Sequence, residues 1–458
     1  MRDITPMIAP RSVAVIGASS NPTKAGGMLF SNLVAGNFKG VLYPINSNAK
    51  DVLGIKAYPT LAEVPERVDL VFIVLPRQYV EAAVKQCVEA KARSACIITA
   101  GFAEASDGGR ADEARLREIA RAGGLLLAGP NTIGMVNGDC GLMGSFVKFP
   151  RWENGCISLL AQTGIFAGGL ILDIVSQDVQ RLPLSISTDV GNKIDVDEID
   201  FLNFAENDPG TKVIGIYLEQ FSDLPAFLEK ASALRGRKPI VVLKPARTPE
   251  GMRASSSHTG SLPADDAMID AALRQHGVLR ADDEDDFVHM LKALAMLPRA
   301  RGNRVGIATT SGALGVLSTD LVVQNGLTMA EFSPQSMPAM QSIFPDWLKP
   351  ANPFDFWISV DMKGPLEAHE VALRSVFADP NVDLVLCTLL AGPTSDFAEF
   401  GDILRRLRAE HNKPVALLIY GGVEGRKWIS DLEGANVPIF PTVRSAVRAL
   451  ATVYRAYN

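Results

Sequence analysis

The chain is poor in the residues that cross-link or metallate a protein, with five cysteines and five histidines among 458 residues. Cys87, Cys96, Cys140, Cys156 and Cys387 are scattered, with no C-x-x-C pair and no histidine at ligand spacing. That pattern gives neither a disulfide framework nor a zinc site, and leaves reduced, mostly buried thiols as the expectation. No apolar run is long enough to span a bilayer, and MRDITPMIAPRSVAVIG holds no secretion-signal stretch before its first strand. The expected location is the cytoplasm, away from membranes. A formal net charge of −6 without long runs of one sign gives no footing for nucleic acid or an anionic lipid surface. Any anion site must be local. Two motifs are missing as well: G-x-x-x-x-G-K-[ST], which removes a P-loop nucleotide site, and G-x-S-x-G, which argues against a serine hydrolase.

What is present is an ordinary globular composition, 47% apolar and 21% charged, and length for roughly three domains. From residue 12 to about 137 the apolar runs SVAVIGAS, GVLYPIN, VDLVFIVLP, SACIITAGF and LLLAGPNTIG alternate with amphipathic helical stretches. Continuous apolar runs of this kind belong to a parallel sheet covered on both faces. After the less regular NGDCGLMGSFVKFPRWENG, strands return as CISLLAQTG, LPLSISTDVGN, KVIGIYLEQF and PIVVLKPAR. A third series starts at RVGIATTSGALGVL and continues through VDLVLCTLLAG and PVALLIYGG. The expected fold class is α/β, in three doubly wound units over residues 1–137, 138–300 and 301–458. ADDEDDFVHMLKALAML is a helix whose acidic start complements its own dipole. Trp347 and Trp357, flanking NPFDF, could line a pocket, with burial in the core as the first expectation.

Three glycine turns invite an anion. The first strand runs straight into GASSNPTKAGG, the usual strand-to-helix cradle for a phosphorylated ligand, although the spacing is not G-x-G-x-x-G. An NAD-linked dehydrogenase would place an acid after the second strand, and this chain has YPINSN there. LLAQTGIFAGGL and IATTSGALGVL each pass from an apolar strand through Thr-Gly or Ser-Gly into a helix, leaving amide donors and a positive dipole end. Plain N-caps would look the same. His258 stands in RASSSHTGSLPADD, a segment expected to be a loop because it is rich in serine and glycine.

In order, VAVIGASSNPTKAG, YPIN, ITAGFAE, GPNTIG, AQTG, VGNKIDVDEIDFL, IYLEQF, LKPARTPEGMRASSSHTGSL, ATTSGALGVL and NPFDF resemble the α subunit of ADP-forming acyl-CoA synthetases. These are the acetate:CoA ligase type, related to succinyl-CoA synthetase. The resemblance covers nearly the whole chain, and SSSHTGSL with GNKIDVDEID is its most specific part.

The resemblance implies a Rossmann-like CoA-binding domain followed by two flavodoxin-like parallel-sheet domains. CoA would be held by Gly17, Ala18, Ser19, Asn21, Lys24, Gly26, Pro44, Asn46 and Asn131. His258 would be phosphorylated in the cycle, with Glu219 accepting a hydrogen bond from the imidazole so that the other ring nitrogen is left to attack. Gln162, Thr163 and Gly164, with Ser311, Gly312 and Ala313, would cradle the phosphate through amides and helix dipoles. ATP or ADP, with Mg²⁺, would sit on an ATP-grasp β subunit, because the three units of this chain are otherwise accounted for; a hetero-oligomer acting on a small carboxylic acid and its CoA thioester is expected. No metal site is expected on this chain.

The sequence departs from the family in places. Thr132 stands where cysteine is usual in GPNCxG, TTSGALG replaces NAGGPG, and Ser47 and Asn48 follow YPIN where lysine is common, leaving Lys24 or Lys50 to replace it. The alternative is a non-catalytic CoA- or acyl-CoA-sensing module on the same fold. The thioester pocket is expected around Thr132, Ile133 and TDVGN.

Overall fold

The protein was analysed as a computed structural model that describes residues 2–149, 152, 155–176, 181–259, 265–391 and 397–458. It divides into two compact units: residues 1–176 with 183–280, and residues 177–182 with 281–458.

The first unit holds two sheets. In the first, β1 (Ser12–Ile16), β2 (Val41–Ile45), β3 (Leu70–Ile73), β4 (Ser94–Ile97) and β5 (Leu126–Ala128) lie in the order β2-β1-β3-β4-β5, all parallel. Strands β1, β3 and β4 are buried throughout, as continuous apolar runs require. Helices α1 (Ala25–Ala35), α2 (Val80–Glu89) and α3 (Asp107–Ala122) make the crossovers.

The second sheet contains β6 (Gly134–Asn137), β7 (Leu142–Ser145), β8 (Ile157–Ala161), β9 (Leu184–Asp189), β10 (Val213–Tyr217), β11 (Ile240–Leu243) and β12 (Leu279–Arg280), in the order β12-β11-β10-β8-β9-β6-β7. The part that looks irregular in sequence is the antiparallel hairpin β6–β7, which pairs with β9 and makes this sheet mixed rather than purely parallel. Helices α4 (Glu198–Asn207), α5 (Leu224–Leu234), α6 (Pro249–Thr259) and α7 (Asp266–Gln275) complete the unit. Asp197 opens α4 with a capping box to Asp200.

In the second unit β13 (Arg304–Thr309), β14 (Thr328–Met329), β15 (Phe354–Asp355), β16 (Leu384–Leu390) and β17 (Val415–Tyr420) form a parallel sheet, β14-β13-β16-β17, with β15 added beside β13. Helices α8 (Glu284–Met296), α9 (Gly312–Gln324), α10 (Gly422–Gly434) and α11 (Val443–Tyr457) cover it, with α8 and α9 both packed on α11. The acidic start of α8 is capped by Asp283, which accepts from the Asp286 amide. The tryptophan expectation fails: Trp347 and Trp357 are 74% and 46% exposed, and the core positions go to Phe354 and Phe356. Trp357 opens a helix and so turns outward, while Phe354 stacks on Phe344 at 5.0 Å.

One buried ion pair joins the helices of this unit. The Lys292 ammonium contacts the Glu433 carboxylate and donates to the Ile439 carbonyl at 2.8 Å, and Glu433 accepts from the Ile439 amide at 2.7 Å. Burial lowers the lysine pKa and raises that of the glutamate. Lys292→Met strands a buried carboxylate and is expected to cost about 3–5 kcal/mol in denaturant unfolding, most of it recovered in Lys292→Met/Glu433→Gln. Additive single-residue effects would contradict that coupling.

Candidate functional site

The carboxyl edge of the first sheet carries the expected CoA cradle. The strand β1 ends at Gly17, whose φ is +93° and where a Cβ would lie 2.2 Å from the Val74 carbonyl oxygen, so only glycine fits. A Cβ on Gly26 would lie 2.1 Å from the Gly17 carbonyl oxygen, which lets α1 start directly against the turn. Lys24 precedes α1 in an extended conformation, and no side chain caps the helix amides. The intervening loop is tied internally: Asn21 takes the Thr23 amide and hydroxyl at 2.9 and 2.8 Å, and Ser19 takes the Asn21 amide at 3.1 Å. From the neighbouring strand, the Asn46 side chain donates to the Ala18 carbonyl at 2.8 Å, and Pro44 sits in the edge strand β2, where a missing N–H is tolerated. Gly17, Ala18, Ser19, Asn21, Lys24, Gly26, Pro44 and Asn46 thus share one turn region. Asn131 is held elsewhere, after β5, with its amide on the Thr99 carbonyl at 2.9 Å and its side chain donating to Asn192 at 3.2 Å.

At the carboxyl edge of the second sheet, Gln162, Thr163 and Gly164 leave β8 for a single π-helical turn, Ile165–Gly169. The Gln162 amide donates to the Tyr217 carbonyl at 3.0 Å, and Phe166 stacks on the Tyr217 ring at 4.1 Å. The Gln162 side-chain oxygen accepts the Glu219 amide at 3.1 Å. The structure therefore brings the AQTG turn and the IYLEQF glutamate together. Burial, helped by Glu219, pushes the Tyr217 phenol up to about 12, so it stays neutral.

His258 falls on α6, whose backbone is helical through Thr259; its side chain lies outside the described residues. The expectation of a loop is corrected. The Thr248 hydroxyl accepts the Gly251 amide at 3.0 Å ahead of Pro249, a favourable helix start, and the serines before His258 weaken a helix only mildly. The flanks of the segment are anchored by Arg280, which pairs with Asp266 at 2.6 Å and donates to the Lys244 carbonyl at 3.3 Å.

In the second unit Ser311 is the N-cap of α9, accepting the Leu314 amide at 3.5 Å, and Gly312 and Ala313 are exposed. The Asp355 carboxylate stands 3.0 Å from the position of a Gly312 Cβ, at a helix start it complements electrostatically.

Sequence reasoning named the segments TDVGN and GNKIDVDEID but gave no role to their acids. Asp189 is fully buried; it accepts the Ile133 amide at 2.8 Å and the Gly191 amide at 3.0 Å, and lies 3.8 Å from the Gly164 Cβ position. Thr132, expected at the thioester pocket, is itself buried, donating to the Asp189 carbonyl at 2.7 Å and accepting the Gly134 amide at 2.9 Å. Asp195 and Asp200 of GNKIDVDEID both hold Arg2, and Asp195 also takes Arg121 at 3.0 Å. No spacing rule marks such acids, because their partners are remote in sequence. Among the described residues no cluster of three His, Cys, Asp or Glu side chains is placed to hold a metal ion, and no helix is long and apolar enough to cross a membrane.

Comparison with known proteins places these features in context. The CoA binding domain model matches residues 11–138, and the succinyl-CoA ligase-like flavodoxin domain model matches residues 154–294. The chain is 33% identical to the α subunit of acetate–CoA ligase [ADP-forming] II of Pyrococcus furiosus, over 98% of its own length and 97% of that protein. It is 35% identical to acetate–CoA ligase [ADP-forming] II of Archaeoglobus fulgidus, covering 98% of itself and 66% of that longer protein. Its fold superposes on the dinucleotide-forming acetyl-coenzyme A synthetase 1 of Candidatus Korarchaeum cryptofilum, solved with phosphate and ADP, with a TM-score of 0.92 at 30% identity, covering all of this chain and 97% of that one.

Burial raises the Asp189 carboxyl from 3.8 to about 6, against the pull of its two amide donors. The folded chain thus binds this proton more tightly than the unfolded chain. Its contribution to stability is complete below pH ~4 and is lost as pH rises through ~6. Relative to wild type, Asp189→Asn should gain roughly 3 kcal/mol between pH 4 and pH 7 in denaturant melts. A pH-independent difference would show that the carboxyl titrates normally.

Proposed function

The chain belongs to the family of the ADP-forming acetate–CoA ligases, and from that premise we propose that it is the CoA-binding, phosphohistidine-bearing chain of an acyl-CoA ligase. It would interconvert acyl-CoA, ADP and phosphate with acid, CoA and ATP. The observation that carries the proposal is the contact between the Gln162 side chain and the Glu219 amide, which holds the Glu219 backbone beside a strand-to-helix turn able to receive a phosphoryl group. The CoA-type turn of the same unit supports it.

Three steps follow. A phosphate oxygen adds to the thioester carbonyl, the C–S bond breaks, and the thiolate of CoA leaves and takes a proton, giving an acyl phosphate. A ring nitrogen of His258 attacks phosphorus, the P–O bond to the acyl group breaks, and the carboxylate departs. A β-phosphate oxygen of ADP then attacks phosphorus, the N–P bond breaks, and ATP forms with the imidazole restored. Glu219 fixes the tautomer of His258 through one ring nitrogen and stabilises the cationic phosphohistidine. The helix start at Gln162–Gly164 supplies amides to the phosphoryl group. The helix start at Ser311–Ala313, in the other unit, has the Asp355 carboxylate beside it, which disfavours an anion there.

The nucleotide and Mg²⁺ would come on an ATP-grasp β subunit, in a hetero-oligomer; support for a partner comes from relatives named as α subunits. We place it in the cytoplasm, where CoA and ATP are available. The acid is small and carboxylic.

With the partner subunit, γ-labelled ATP and Mg²⁺, the chain should acquire acid-labile, base-stable label that CoA plus acid discharges. His258→Ala should acquire none, and Glu219→Gln should be labelled about 10- to 100-fold more slowly. CoA binding without any label would favour the sensing-module reading instead.

A further inference from the structure

The most specific motif of the sequence, GNKIDVDEID, contains a charge pair that the cycle above does not use. Lys193 sits in the turn after β9 with φ +55°, an unfavourable conformation for a lysine that the surrounding contacts must hold. Its side chain is 4% exposed, and Glu198, the first residue of α4, is 0% exposed; the two meet at 2.8 Å. Buried pairs of this kind are poor sources of stability, because desolvating two charges offsets most of their attraction. Their remaining hydrogen bonds point to a single destination. Lys193 donates to the Gln220 carbonyl at 2.8 Å, and Glu198 accepts the Ser222 amide at 2.5 Å and the Ser222 hydroxyl at 3.2 Å.

Those residues directly follow Glu219. The loop after β10 is therefore pinned along its length: the Leu218 amide on the Leu243 carbonyl at 3.2 Å, the Glu219 amide on Gln162, Gln220 on Lys193, and Ser222 on Glu198. A carboxylate that must meet one nitrogen of an imidazole tolerates little angular error, and a loop held on both sides of it supplies that precision.

We propose that Lys193 and Glu198 are a positioning pair that fixes the direction in which Glu219 presents its carboxylate to His258, so that the pair governs phosphoryl transfer without touching substrate. The inference rests on the role given to Glu219 above. Both side chains are buried and turned to the Gln220–Ser222 loop, so a defect should appear in kcat and in the labelling rate, not in KM.

The test uses the full chain with its ATP-grasp partner, following single-turnover labelling from γ-labelled ATP together with steady-state kcat and KM. Lys193→Met should slow labelling about 10- to 100-fold with KM for CoA and acid changed less than about twofold. Lys193→Met/Glu198→Gln removes both charges and keeps an acceptor for Ser222, so it should melt close to wild type yet remain slow. Lys193→Met added to Glu219→Gln should slow labelling no further than Glu219→Gln alone. A double variant that regains the wild-type rate along with its stability would overturn the proposal, as would full additivity with Glu219→Gln. Wild-type labelling of Glu219→Gln would instead remove the assigned role of Glu219, and the pair's role with it.

Discussion

Parallel strands cannot be joined by a tight turn, so each must be followed by a crossover that returns the chain to the starting edge. The parallel strands of each sheet then end on one side, and most release their last residues into a loop that opens a helix. In this protein that constraint collects nearly all the candidate chemistry. Gly17–Gly26 follow β1, Pro44 and Asn46 close β2, Gln162–Gly164 follow β8, Asp189 ends β9, Glu219 follows β10 and Ser311 follows β13. Residues separated by dozens of positions become neighbours because their strands pair in register, as β8 and β10 do from Ile157↔Val213 to Ala161↔Tyr217.

The second layer of organisation is polar and buried. Asp189 ties the Ile133 loop to the turn at Gly191, Asp195 ties Arg2 and Arg121, and Glu198 with Lys193 ties the Gln220–Ser222 backbone. Each carboxylate replaces water with backbone, hydroxyl, ammonium or guanidinium donors, as a charge in a low-dielectric interior requires. The family motif thus owes much of its residue content to internal bracing.

The sheets were legible in the sequence because a strand buried on both faces needs a continuous apolar run, and such runs stand out in VAVI, LVFI and LVLC. The hairpin β6–β7 was not, since GMVN and LMGS are short and each contains a glycine, and β6 pairs with β9 about fifty residues away. Glu219 and the AQTG turn could be named in advance, but their meeting through Gln162 needs the register of β8 against β10. The helical course of residues 249–259 was missed because serine and histidine are weak local signals, and Thr248 with Pro249 decides the start. The two tryptophans were misplaced for a related reason: size suggests burial, yet position within the element decides which way a side chain faces.

The clamp on Arg2 also has a consequence for how the molecule comes into being. Its guanidinium is held by Asp195 and Asp200, which follow it in the chain by 193 and 198 residues. During synthesis the arginine leaves the ribosome long before either acid exists, so the first sheet must form with its leading edge unsecured and wait for the second sheet to be made. Closing a contact that spans so much chain is slow compared with local pairing. The segment around Arg2 is therefore expected to find its place only after Asp195 and Asp200 have been made.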